Sequence, residues 1–307
     1  MTTSAIENNV AFKNILVATD FSDASRHAVE SAATLISTPN QRLSLLHVIH
    51  PETHLPVPLD PLPPGVDPAF TTARHNLDAL ISSESLDRLN HEELLRRGPL
   101  WNVVSDVIRE KDIDLLVLGT RGRTGLRKLV LGSVAEELFR CASCPVLTVG
   151  PAAAPIRPIR RVLYVTDFGP ASLHALPYAI DFANRNGGEL ILLHLVSPMP
   201  VEYIGPFWYP GTDVVEREAA SQGEAMERLR ELLPSSQGLK CSVEHVVEVH
   251  LAPEGLVSFA RERNVDLIVM GLRESAIGAA RIASHMPWAI AHEVVRHAEC
   301  PVLTVRG

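Results

Sequence analysis

The sequence has few cysteines and no excess of positive charge, and each shortage excludes a class of protein. Four cysteines among 307 residues are too few for a disulfide framework in a chain of this size, which predicts free thiols in a reducing compartment. Lysine and arginine total 28 against 36 acidic residues, so the formal net charge is −8. We therefore expect no nucleic acid partner, because no general basic surface is available to neutralise phosphates.

Long apolar runs and a leader-like beginning are also missing. No uninterrupted apolar stretch approaches the roughly 18 residues that a membrane helix needs. The beginning, from Met1 to Asn9, has neither a basic start nor an apolar run. Hydrophobic residues nevertheless make up 46% of the chain, which is enough for two packed cores. These features predict a soluble, cytoplasmic protein that does not associate with membranes.

An internal repeat organises the chain. The stretch that begins Asn14-Ile-Leu-Val-Ala-Thr-Asp-Phe-Ser is answered by Arg161-Val-Leu-Tyr-Val-Thr-Asp-Phe-Gly. Near the end of each half, Cys144-Pro-Val-Leu-Thr-Val recurs letter for letter from Cys300. Such self-similarity predicts two copies of one module.

The boundary between the copies falls in a segment rich in proline and alanine. We expect a first domain over residues 1–150, a linker over 151–159 that groups with the second half, and a second domain over 160–307. In the first half, strand-length apolar runs lie near 13–19, 42–49, 92–97, 114–118 and 145–149. Helical patterns separate them, which predicts βαβ units and a parallel sheet covered on both faces.

The helix boundaries of the first half follow from local signals, but one later segment could be a helix or a strand. The first helix is predicted to start after Ser22, an N-cap residue, and to end before Pro39, and the second to span roughly 69–88. Glu92-Glu-Leu-Leu-Arg-Arg could extend that second helix. Its repeat partner, Glu244-His-Val-Val-Glu-Val, is rich in β-branched residues, which favours a strand.

The chemical signal is a glycine-rich loop after the fourth strand. Gly119-Thr-Arg-Gly-Arg-Thr-Gly-Leu-Arg-Lys-Leu-Val-Leu-Gly-Ser has the spacing Gly-x2-Gly-x9-Gly-Ser and leads into a helical pattern. Glycines let backbone N–H groups approach phosphate oxygens, and a helix N-terminus attracts an anion. The loop therefore predicts a phosphate ligand, although a glycine-rich turn needs none. Its candidate ligand-binding residues are Gly119, Arg121, Gly122, Arg123, Gly132 and Ser133.

With these motifs together, the chain resembles a tandem universal stress protein, over about Lys13 to Val149 and Arg160 to Val305. The resemblance implies two Rossmann-like α/β domains similar to adenine nucleotide α-hydrolases, each with a five-stranded parallel sheet of order 3-2-1-4-5. It also implies that nucleotide lies over the carboxyl ends of the strands, in agreement with the rule for open α/β sheets.

The family resemblance assigns roles to the matching positions of the first half. Asp20, which follows Ala18 and Thr19, would contact the adenosine moiety, and backbone groups of Val48 would hold adenine. The glycine loop and Ser133 would hold ribose and phosphates, with ATP as the ligand and Mg²⁺ as its companion ion. For Asp20 the alternative role is to cap the first helix.

The second half lacks the complete loop. Glu274 stands where Gly122 stands, and a carboxylate there would repel phosphate. Trp288 and Ala289 stand opposite Gly132 and Ser133, while Asp167 and Val196 persist. We therefore expect that the second half is a degenerate domain that does not bind ATP in the family manner.

Other features of the second half allow alternatives. Aromatic residues there could line a pocket for an apolar ligand, fill the vacated cleft or pack between the halves: Tyr203, Phe207, Trp208, Tyr209 and Trp288. The spacing of His285, His292 and His297 does not place them on one helical face as metal ligands. We expect a buried Cys144 and an exposed Cys141, and no metal site.

These features predict an ATP-binding regulatory protein with one nucleotide site, in the first half, rather than an enzyme. Slow ATP hydrolysis and binding of an apolar small molecule by the second half are the alternatives. The family resemblance further implies that the fifth strands, Val146–Val149 and Val302–Val305, pair within the chain as a pseudo-dimer, and that the chain forms a homodimer.

Overall fold

A computed structural model describes residues 12–50, 67–84, 86–120, 133–150, 159–197, 212–233, 239–250, 253–272 and 288–307. The chain divides into two compact units, which meet in sequence between Arg157 and Pro158. Arg121, Gly122, Arg123 and Gly132 lie outside the described residues. Within the described part of the chain, no helix is long and apolar enough to cross a membrane.

The first unit alternates strands and helices. Its elements are β1 (Asn14–Ala18), α1 (Asp23–Leu35), β2 (Arg42–Ile49), α2 (Pro68–Ser83), β3 (His91–Arg97), α3 (Leu100–Glu110), β4 (Leu115–Gly119), α4 (Ser133–Cys141) and β5 (Val146–Val149). The strands are parallel and pair in the order β3-β2-β1-β4-β5.

The second unit repeats this arrangement. Its elements are β6 (Arg161–Val165), α5 (Pro170–Arg185), β7 (Glu189–Val196), α6 (Thr212–Leu232), β8 (Ser242–Val249), α7 (Glu254–Glu262), β9 (Leu267–Leu272), α8 (Trp288–His297) and β10 (Val302–Arg306). All its pairs are parallel, in the order β8-β7-β6-β9-β10. The predicted α/β class with parallel sheets is confirmed.

The central strands form the core of each unit because helices cover both faces. Ile15, Leu16 and Val17 in β1 and Val162 and Leu163 in β6 are completely buried. Continuous apolar runs of this kind are what a doubly covered parallel sheet requires.

The first two helices of the first unit begin at side-chain caps. Ser22 precedes α1 and accepts a hydrogen bond from the backbone N–H of Ser25, while Asp67 precedes α2 with Pro68 at the first helical position. The predicted end of α2 near residue 88 is wrong, because the helix stops at Ser83. The hydroxyls of Ser82 and Ser83 donate to backbone carbonyls of the preceding turn, which weakens a helix end, and a separate 3-10 turn follows.

The third strand, β3, is present as predicted. Its two glutamates contact different helical segments: Glu93 accepts from Arg74 of α2 at 2.9 Å, and Glu92 accepts from Lys111, just after α3, at 2.6 Å. Alternate strand residues face opposite sides of a sheet. This polar segment, whose sequence is compatible with a helix, is thus a strand. Its two glutamates form ion pairs with helical segments on opposite faces of the sheet.

Candidate functional site

Five of the predicted binding residues lie at one edge of the first unit. Ala18 ends β1 and is in register with Leu46 of β2 and Leu118 of β4. Thr19 and Asp20 follow Ala18, Gly119 follows Leu118, and Val48 lies near the end of β2. The structure therefore places Ala18, Thr19, Asp20, Val48 and Gly119 at the carboxyl ends of three adjacent parallel strands. Ser133 is the first residue of α4.

Thr19 anchors the turn from β1 into α1. Its side chain is buried, and its Oγ1 accepts a hydrogen bond from the backbone N–H of Phe21 at 3.0 Å. Its hydroxyl also lies 3.0 Å from the Oγ of Ser25, which donates to the carbonyl of Ser22 at 2.9 Å. Because the single Ser25 hydroxyl proton is used in that bond, the Thr19 hydroxyl donates to Ser25. The first turn of α1 is thus fixed against the end of β1.

Asp20 has the turn-stabilising role that its sequence position allows. Its Oδ1 accepts from the backbone N–H of Ser22 at 3.0 Å and from the Ser22 hydroxyl at 2.6 Å. This is an Asx turn, which holds the chain just before the helix. The side chain is only partly buried, so the carboxylate is both oriented by the protein and partly open to solvent.

Phe21 adopts a backbone conformation that is rare for a bulky residue. Its φ is 64°, in the left-handed region, which costs about 1–2 kcal/mol for a residue with a Cβ. Its ring packs on that of His47, with centroids 4.4 Å apart. His47 Nδ1 is 2.8 Å from the carbonyl oxygen of Thr19, and because a carbonyl only accepts, Nδ1 carries a proton. This contact ties β2 to the turn.

Gly119 is glycine because the first turn of α1 passes directly over it. A Cβ at this position would lie 2.6 Å from the backbone carbonyl group of Ala24 and 2.8 Å from the nitrogen of Ser25. Gly271 of β9 has the same relation to α5, with 2.2 Å to Ala171. Because both units have this contact, the fold alone requires the first glycine of the loop.

The second unit repeats the turn almost atom for atom. Thr166 Oγ1 lies 3.0 Å from Ser172 Oγ and accepts from the N–H of Phe168 at 2.9 Å. Phe168 has a φ of 59°, and its ring lies 4.5 Å from that of His194. Asp167 accepts from the N–H of Gly169 at 2.8 Å. The strand-end geometry is therefore common to both units.

Among the described residues, a cation lies over the phenylalanine in the second unit alone. In the second unit the guanidinium of Arg228, from α6, lies 4.1 Å from the centre of the Phe168 ring, a cation–π contact. Burial lowers the pKa of His194, and the positive charge of Arg228 lowers it further, against the opposing hydrogen bond with Thr166. The second turn thus has a cation on its phenylalanine ring and, beside that ring, a histidine whose pKa is lowered.

Strand register corrects one expected correspondence. Val48 pairs with Arg96 and Ile49 with Arg97, while Leu195 pairs with Glu248 and Val196 with Val249. The carbonyl of Ile49 accepts a hydrogen bond from the N–H of Gly98, and the carbonyl of Val196 accepts one from the N–H of His250, which is the equivalent position. The counterpart of Val48 is therefore Leu195 and not Val196, which is an error of one position in the repeat.

The remaining predicted features are only partly described. Glu274, His285 and the aromatic residues Tyr203, Phe207, Trp208 and Tyr209 lie outside the described residues. Cys144 is buried as predicted. In α8, His292 and His297 each approach Glu293 at 3.4 Å, and the described residues contain no cluster that could hold a metal ion.

Sequence reasoning missed the strained phenylalanines and the Arg228 contact. The repeated Thr-Asp-Phe was a usable signal for the first, since it marks both turns. The contact of Arg228 depends on which face of α6 packs against the turn. The repeat could not predict it, because the described residues of the first unit contain no equivalent contact on Phe21.

Comparison with known proteins places the chain in a family. The family model described as universal stress protein family matches residues 11–150 and 158–306. A universal stress protein of Mycobacterium tuberculosis is 29% identical over 306 residues, covering 95% of this chain and 96% of its own. One from Mycolicibacterium smegmatis is 27% identical over 300 residues, with the same coverage. The crystal structure of a universal stress protein from Archaeoglobus fulgidus has the same fold, with a TM-score of 0.66 at 19% identity, covering 95% of this chain and 98% of that one.

Proposed function

Because the chain belongs to the universal stress protein family, with two copies of the family domain, we propose that its first unit binds one ATP and that ATP occupancy regulates its conformation or its binding to partners. The second unit does not bind ATP in the same way. The observation that carries this proposal is the meeting of Thr19, Asp20 and Gly119 at the carboxyl edge of the sheet, where open α/β sheets bind their ligands.

The adenosine end of the proposed site matches the chemistry of the described residues. The oriented, partly exposed Asp20 carboxylate is an acceptor for a ribose hydroxyl or an adenine amine. Ala18, Thr19 and Val48 contribute backbone at the adjoining strand ends. The rigid turn reduces the cost of ordering these groups when a ligand binds.

The phosphate end would be supplied by the glycine loop. Gly122 and Gly132 would let backbone N–H groups approach the phosphates, while Arg121 and Arg123 would neutralise their charge. Ser133 begins α4, whose N-terminus favours an anion. A bound Mg²⁺ would neutralise part of the triphosphate charge.

The second unit provides the internal contrast. Its strand-end turn keeps the bonds from backbone N–H groups to Thr166 and Asp167, although Gly169 stands where the first unit has Ser22 and supplies no side-chain cap. Because these backbone contacts are shared, we assign the difference in ATP binding to another segment. The sequence locates it in the loop, where Glu274 replaces Gly122. The alternative function, slow hydrolysis, would be distinguished by multiple-turnover phosphate release.

The matched aspartates test this proposal. Isothermal titration of ATP into Asp20→Asn should show affinity weakened by about tenfold, because a charge-assisted hydrogen bond contributes about 1.5–3 kcal/mol. Asp167→Asn, which alters the same turn in the second unit, should bind ATP like the unmodified chain. Equal loss in both variants, or loss only in Asp167→Asn, would contradict the proposal.

Cellular location and assembly form the remaining part of the proposal. We place the protein in the cytoplasm as a homodimer, on the basis of its composition and of the family resemblance. Light scattering of the purified chain should give twice the 33.5 kDa chain mass. A monomeric mass at all concentrations would refute the dimer.

A further inference from the structure

The phenylalanine ring of the second strand-end turn is covered by an arginine of the same unit. The guanidinium of Arg228 lies 4.1 Å from the centre of the Phe168 ring. Other arginine–phenylalanine contacts among the described residues are longer, at 5.4 and 5.5 Å. At 4.1 Å the guanidinium lies directly against the ring, in the space that a stacked ligand ring would need. A ligand can therefore stack there only if Arg228 moves away.

A shared ion pair shows how this part of the second unit aligns with the first. Lys111 pairs with Glu92 in the first unit, and Arg263 pairs with Glu244 in the second. Both members of the pair are displaced by the same number of positions between the units. The same displacement matches buried residues of α2 with buried residues of α6: Ala73 with Ala225, and Leu77 with Leu229.

By this alignment, Asn76 of α2 is the counterpart of Arg228. An asparagine side chain is shorter than that of arginine and carries no charge, so it cannot place a cation on the Phe21 ring. The contact of the turn phenylalanine with a histidine of the neighbouring strand is present in both units. The two turns thus share their ring pair, and the helix beside them differs at the position of the covering arginine.

Phe21 lies beside the residues of the proposed ATP site. It directly follows Asp20, whose carboxylate is the proposed acceptor for adenosine, and its ring packs on that of His47, which precedes Val48 in β2. Every nucleobase has a π face that can stack on an aromatic side chain. A phenylalanine at this place therefore suits the base of a nucleotide.

We propose that Arg228 blocks the Phe168 ring for planar aromatic ligands. Asn76 leaves the Phe21 ring to the adenine of the ATP proposed above, and this half of the assignment rests on that function. A guanidinium and a nucleobase are both flat and both bind the face of a phenyl ring, so they compete for it. Arg228 is exposed and can be displaced, which limits its effect to about two- to fivefold, the strength of an exposed cation–π contact. Its effect adds to that of Glu274 in the loop.

The test uses adenosine as the probe, because it has the base and the ribose without the phosphates that the glycine loop would bind. The full chain is labelled with ¹³C in its phenylalanine rings, and the signals of Phe21 and Phe168 are assigned from leucine variants. In Arg228→Asn, adenosine should shift the Phe168 signals with a Kd about two- to fivefold lower than in the unmodified chain. The reciprocal variant, Asn76→Arg, should raise the Kd at Phe21 by a similar factor.

The control is Arg230→Asn, which removes the same charge from α6, where Arg230 donates to Glu227. It should leave the Kd at Phe168 unchanged. An equal gain in Arg230→Asn, no gain in Arg228→Asn, or an unchanged Kd in Asn76→Arg would overturn the proposal. Titration of ATP into the unmodified chain separates the two proposals. Absence of ATP binding together with the gain at Phe168 would refute the ATP site and leave the blocking role of Arg228 intact.

Discussion

Replacing Gly119 by alanine should destabilise the first unit, although alanine is normally the better residue. The Cβ would lie 2.6 Å from the Ala24 carbonyl group, whereas ordinary van der Waals contact begins at 3.4 Å. All three neighbouring atoms belong to the backbone, so no side chain can rotate away, and α1 or β4 must move by about 0.8 Å. Overpacking of this kind costs about 1–3 kcal/mol.

The measurement is urea unfolding followed by circular dichroism, with Gly223→Ala as the control. Gly223 lies within α6, and a Cβ there meets no atom within 4 Å. Alanine should therefore stabilise that helix by up to about 1 kcal/mol. If Gly119→Ala were as stable as the unmodified chain, or if Gly223→Ala were the more damaging change, the packing explanation would be refuted.

Three further predictions concern the turns and the core. His194 should titrate below its ordinary pKa, because burial and Arg228 disfavour its charged form, and Arg228→Gln should raise that pKa in an NMR titration. Its contribution to stability is therefore present above the unfolded pKa and lost as pH falls through the lower folded one. Burial raises the pKa of Tyr164 to about 12, so Tyr164→Phe should leave the absorbance change near pH 10 unaltered. Ser22→Ala should cost about 1 kcal/mol of unfolding free energy through loss of the α1 cap, and Ser22→Gly less.

Two of these predictions have an internal check. Burial lowers the pKa of His245, and the positive charge of Arg230 lowers it further. Arg230→Gln should therefore raise the pKa of His245 and leave the pKa of His194 unchanged. A shift of both histidines in either variant would indicate a general electrostatic effect. A smaller absorbance change near pH 10 in Tyr164→Phe would show that the phenol is accessible.

The repeat made much of the fold predictable. Strand β3 is the clearest case, because its own residues favour a helix and only the valines of β8 indicated a strand. Strand ends, and therefore Thr19, Asp20 and Gly119, could be placed from the apolar runs alone. The end of α2 could not, since the serine hydroxyls at its last turn compete with the helix in a way that periodicity does not record.

The glycines show where sequence reasoning lacks information. A glycine loop predicts phosphate, yet Gly119 and Gly271 are required by close approach to a helix that begins well before them in sequence. The contact of Arg228 with Phe168 likewise depends on tertiary packing. Comparing the two copies separates two kinds of residue. Residues that the fold requires, such as Gly119 and Gly271, occur in both copies, whereas the rest of the glycine loop occurs in the first copy alone.

The number of ATP molecules per chain tests the central claim most directly. Native mass spectrometry of the full chain with excess ATP and Mg²⁺ should show one nucleotide per chain, absent in Gly122→Glu and retained in Gly278→Glu, a glycine-to-glutamate control in the second half, where Glu274 already occupies the position of Gly122. Two nucleotides per chain, none, or retention in Gly122→Glu would contradict the assignment of a single ATP site to the first unit.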